Sequence, residues 1–184
     1  MVRKESIQEE GQISTIDDVI ARMRVIGDSF DPKDGLSQFN AVYQRVTEAI
    51  RDRLTGGFFD DANFVEHFDI VFANRYFTAI DADAARQPVD PAWQPLFSSR
   101  SDFRILPVQF VVAGMNAHIS QDLPLATVDA CITAETHPLS GTIRADYYKI
   151  NEILEEIESK TRLSLLSELP VSYTHLTLPT KRIV

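Results

Sequence analysis

A chain of 184 residues, 44% of them aliphatic or aromatic, is long enough for one domain with its own core. Its formal charge of −9 repels phosphate backbones and disfavours nucleic-acid binding, and no apolar run is long enough to span a membrane. The lone cysteine, Cys131, excludes an internal disulfide, and the polar start M-V-R-K-E-S lacks the apolar stretch of a signal peptide. Both features suit the cytoplasm.

Residues 1–13 read as a flexible N-terminus. The first predicted helix starts at Ser14-Thr15, either of which can cap it, with Asp17 and Asp18 in the first turn facing the helix dipole. Ile16, Val19, Ile20, Met23 and Ile26 form one stripe, and Gly27 is expected to stop it. A turn-rich loop over 28–35 leads to a second helix from about Leu36 to Leu54, whose apolar positions recur at steps of three and four. Gly56-Gly57 ends it.

The third helix follows Asp60-Asp61, read as caps. It carries an aromatic face made of Phe64, Phe68, Phe72 and Tyr76 with Val71 and Ile80. Residues 81–91 read as loop. Asp90-Pro91 then opens a short helix with Trp93, Leu96 and Phe97. The fifth helix opens at Pro107 and is apolar almost all round, the pattern of a central buried helix; a buried strand is the weaker alternative. Leu123-Pro124 is expected to break it. A sixth helix carries Leu125, Val128 and Ile132, and a seventh begins near Thr142. The expected fold is all-α, an irregular bundle of about seven helices around a buried central helix, spanning 14–169.

The segment that invites chemistry is G-M-N-A-H-I-S-Q-D-L-P, Gly114 to Pro124. His118 and Asp122 are four apart, so a helix sets them on one face of its most apolar element, where isolation is costly. Two readings stand. In one, Asp122 fixes the His118 tautomer or caps the next helix. In the other, the two are metal ligands or an acid–base pair. Asn116 lies in the same segment. His67 and Asn74, seven apart, share a face of the third helix; if that face meets the fifth helix, they join His118 and Asp122 in one pocket. His67 would then be a third ligand for a divalent metal such as zinc. Gly114 points to close approach of another helix or a ligand. No phosphate loop, G-x-S-x-G, H-E-x-x-H or C-x-x-C occurs, so no catalytic residue is assigned.

Several stretches carry a family resemblance: F-N-A-V-Y-Q-R-V-T-E-A-I (39–50), F-F-D-D (58–61), V-F-A-N-R-Y-F (71–77), A-W-Q-P-L-F (92–97) and G-M-N-A-H-I-S-Q-D-L-P-L-A (114–126). Together they resemble the bacterial domain-of-unknown-function family 5995. The family pattern has asparagine where this chain has Ser120. Its members continue past Leu169 with further helix, which implies that this chain is truncated. The family has no established activity, so the resemblance implies a fold and a site and no reaction. The H-x-x-x-D spacing is also similar to that of helical zinc-dependent phospholipases and nucleases, whose other histidine motifs are missing here.

The last stretch, V-S-Y-T-H-L-T-L-P-T from Val171 to Thr180, looks like translated sequencing-library adapter. Lys181, Arg182 and Ile183 fit the index that follows in such adapters, and Val184 fits the resumption before a stop codon. Residues 170–184 are therefore expected to be a non-native tail. The functional expectation is a helical domain that binds a small molecule or protein, with His118–Asp122 as a structural pair. The alternative is a metal-dependent hydrolase that uses the same pair.

Overall fold

The computed structural model describes residues 13–167. The expected adapter-derived tail and all but the last residue of the expected flexible N-terminus lie outside them. The described residues form α1 (Ile16–Ser29), α2 (Gly35–Arg51), α3 (Ala62–Ala84), α4 (Gln94–Ser99), α5 (Pro107–Ala117), a π turn (His118–Asp122), α6 (Leu123–Thr133) and α7 (Gly141–Ser167). No strand occurs among them, so the all-α expectation holds and the strand alternative for 107–119 does not.

Local chemistry sets most starts. Thr15 caps α1 by accepting from the Asp18 amide (3.2 Å), while the Asp18 carboxylate accepts from the Thr15 amide (2.9 Å), a reciprocal capping box. Asp34 and Asp61 accept from the amides of Leu36 and Phe64 at the starts of α2 and α3. Three ends fall elsewhere than expected. α1 runs through Gly27 to Ser29, and α2 stops at Arg51, ahead of Leu54. α3 continues through Asp81 to Ala84, because Arg22 holds Asp81 (2.7 Å) and Arg100 holds Asp83 (2.9 Å) across the fold. It closes with Arg86 in the left-handed region (φ 56°) and the Gln87 amide donating to Ala82 O, a stop made without glycine.

The core is centred on α2 and α3. α2 packs on α1, α5 and α7, and α3 packs on α6 and α1. Phe39, Tyr76, Phe77 and Trp93 are fully buried between them with Met23, Leu36 and Leu96. Each such ring removed from water contributes about 2–3 kcal/mol. A second cluster of Val46, Ile50, Phe59, Val65 and Ile153 seats α7. α5 is enclosed on one side only: Phe110, Val111, Gly114 and Ala117 are buried, whereas Val112 is 48% exposed. Its apolar circumference thus overstates its burial. Gly114 is there for packing: a Cβ would stand 2.4 Å from the ring of Phe39.

Leu123-Pro124 does not break the fifth helix. Proline has no N–H for the Ser120 carbonyl, and its ring would press on that oxygen in a regular α-turn. The chain instead widens by one residue, with the Leu123 amide donating to His118 O, and runs on into α6. The π turn carries both His118 and Asp122.

Candidate functional site

Asp122 does not cap α6. Its Oδ2 accepts from His118 Nδ1 (2.9 Å) and from Trp93 Nε1 (3.1 Å), and both acidic and imidazole side chains are buried. A carboxylate acceptor on Nδ1 selects the tautomer with hydrogen on that nitrogen and leaves Nε2 as a bare acceptor. Burial lowers the His118 pKa, against the hydrogen bond and charge of Asp122, so the ring is neutral at pH 7. The ring stacks on Phe72 at 3.6 Å between centroids and 6° between planes, and Tyr43 closes on it at 4.5 Å.

His118 Nε2 has no hydrogen-bond partner among the described residues. It shares that condition with Tyr43 Oη and Thr47 Oγ1 on α2 and with Asp69 Oδ2 on α3, all buried. His118, Tyr43 and Asp69 line one cavity of about 110 Å³ between α2, α3, the π turn and α7. Its walls are apolar apart from Tyr147 and Asn151, with Phe39, Phe68 and Phe72 contributing rings. Ile119 and Tyr147, each about two-fifths exposed, stand at its mouth.

Burial pushes the Asp69 carboxyl up to about 7, and the neighbouring charge of Glu66 adds to the rise. Tyr43 is also raised, first by burial and then by the charges of Asp69 and Asp122. The cavity therefore presents a neutral imidazole acceptor, a phenol and a carboxyl that changes charge near pH 7.

The other expected site residues lie elsewhere. His67 borders a shallow surface recess with Asn63 and Thr133. It is five residues from Phe72, about 140° round the helix, so it faces away from His118. Asn74 is half-buried, two residues past Phe72, and Asn116 is exposed on α5; neither lines the cavity. The triad of His118, Asp122 and His67 is not assembled. Among the described residues no group of three or more His, Cys, Asp or Glu side chains is placed to hold a metal ion.

Asp69 is the site residue that the sequence reading passed over. It lies three residues before Phe72 on α3, and therefore on the ring's own side of the helix. A lone acid within an aromatic helical stripe was the available signal. Tyr43 and Trp93 are core and site at once, Tyr43 lining the cavity and Trp93 holding Asp122.

No curated protein and no solved structure shows significant similarity to the chain. The profile described as "Family of unknown function (DUF5995)" matches residues 16–183, which include α2, α3, the π turn and every residue of the cavity, and the chain belongs to that family.

Proposed function

We propose that the chain is a cytoplasmic, non-catalytic binding module whose cavity takes a small, mostly apolar molecule. In this reading His118–Asp122 is a structural pair: Asp122, held by Trp93, orients the imidazole and leaves Nε2 as an acceptor for the guest. The observation that carries it is the coincidence of an apolar cavity with unpartnered buried polar atoms on His118, Tyr43 and Asp69. Buried polar groups are nearly always satisfied, and a few convergent polar atoms in an apolar hollow are the general form of a small-molecule site. The volume sets the scale: a cavity of about 150 Å³ accommodates benzene.

The test is a panel of small neutral, cationic and anionic compounds followed by NMR shifts and melting temperature. Binders should perturb resonances of Tyr43, Phe72 and His118. Val42→Phe, which fills the cavity wall at a half-buried position, should abolish them. A panel with no binder, or binding indifferent to Val42→Phe, would overturn the reading.

The metal-dependent hydrolase keeps one supporting feature. A carboxylate on Nδ1 with a free Nε2 is how acids that do not touch the metal orient metal-binding histidines. Melting of the parent and His118→Ala with and without zinc separates the two. Stabilisation of the parent alone by zinc favours the metal.

A further inference from the structure

The polar atoms of the cavity are unequal in kind. His118 Nε2 can only accept, because its other nitrogen is committed to Asp122. Asp69 Oδ2 has no donor, and the side chain is 98% removed from solvent. No lysine or arginine borders the cavity. The hollow thus holds these two acceptors beside the Tyr43 hydroxyl and the Asn151 amide, with no positive side chain to answer the carboxyl. Apart from Asn151 the remaining lining is ring and aliphatic surface, with Tyr43, Phe68 and Phe72 grouped next to Asp69 in α2 and α3. A carboxylate beside aromatic rings is complementary to a cation carrying N–H donors, because the rings attract the charge and the acid accepts the hydrogen bond.

We propose that the cavity binds a small organic cation, a short-chain alkylammonium whose N–H groups are received by Asp69 and His118 and whose chain lies among the rings of Tyr43, Phe68 and Phe72. The proposal rests on the small-molecule reading above and gives the guest its chemical class. A carboxylate guest meets the opposite balance, because its charge would stand beside Asp69 with no lysine or arginine to offset either. A neutral alcohol satisfies one acceptor and leaves the other bare. The guest also resolves the cost of Asp69: an ammonium turns an isolated buried acid into half of a buried ion pair.

Three isosteric compounds test this on the full chain by calorimetry and NMR at pH 7.5: n-butylammonium chloride, 1-butanol and sodium butyrate. Butylammonium should bind at least about tenfold more tightly than the other two, the difference expected of one charge-assisted hydrogen bond. Asp69→Asn keeps the shape and removes the charge. It should remove that preference, so that butylammonium binds no more tightly than 1-butanol, and Val42→Phe should remove all binding. Butanol or butyrate bound as well as the amine, with Val42→Phe sensitivity, would overturn the cation assignment and leave the cavity as a binding site. Butylammonium affinity unaltered in Asp69→Asn would overturn it too, as attraction to the acidic surface. Binding of none of the three would also overturn it, and the wider panel would then decide whether the cavity binds anything.

Discussion

Two buried acids, Asp69 on α3 and Asp146 on α7, are treated differently by the fold. Asp146 on α7 is 1% exposed, and both of its oxygens are matched. The amides of Asp60 and Asp61 donate to it at 2.8 and 2.7 Å, and Lys149 Nζ at 2.9 Å. Burial alone would raise its pKa, but the Asp60 amide, Lys149 and the Asp61 amide together hold it below the ordinary value. Asp69, 2% exposed, has an oxygen with no partner, and its pKa is pushed up to about 7. Asp146 ties the start of α3 to α7 and is accounted for by folding. Asp69 costs the fold stability, and under the proposed binding reading its place in the cavity gives that cost a use.

The sharpest way to break the contrast is to remove each acid. Asp146→Ala leaves the Asp60 and Asp61 amides without their acceptor, while Lys149 keeps Asp60, and should destabilise by about 3 kcal/mol, measured by urea denaturation. Little change would mean that the 58–61 segment does not depend on this tie. His118→Ala should cost less, about 2 kcal/mol, because Trp93 still donates to Asp122 while the stack on Phe72 is lost.

Asp69→Asn should go the other way, with a gain of about 2 kcal/mol at pH 8. The sign follows from linkage. A carboxyl raised in the folded state favours folding fully below its unfolded pKa near 3.8, and loses that contribution as pH climbs through about 7. The advantage of Asp69→Asn should therefore shrink towards pH 4 and level off above pH 7. Asp146, depressed in the fold, contributes above its unfolded pKa and loses its contribution as pH falls through its lower folded value. Melting temperatures of Asp69→Asn and Asp146→Asn, each relative to the parent across pH 3–8, should consequently change in opposite directions. Parallel curves would erase the distinction between the two acids.

The smallest effect belongs to Thr47, fully buried with an unpartnered hydroxyl. Thr47→Val replaces it with a methyl of the same shape and should be neutral or stabilising by about 0.5 kcal/mol. A clear loss of stability would show that the hydroxyl is satisfied by bound solvent.

Much of this molecule is legible in one dimension, because helices are local objects. The capping pattern at Thr15, the steps of three and four in α2, the aromatic stripe of α3 and the glycine at 114 each state a backbone or packing requirement within a few residues. The pairing of His118 with Asp122 is equally local, since one turn of helix separates them. What closes around that pair is not local. Trp93 reaches Asp122 from 29 positions away, Phe72 meets His118 from another helix, and Asp146 finds its donors 86 and 85 residues back. The same distance hid the end of α3, which ion pairs to α1 and to Arg100 hold past its expected stop. It also turned His67 away from the cavity and Asp69 towards it, a choice set by which face of α3 meets the π turn. The pattern of residues determined the helices and the histidine–aspartate pair; the angles at which the helices pack decided which acid would be left without a partner.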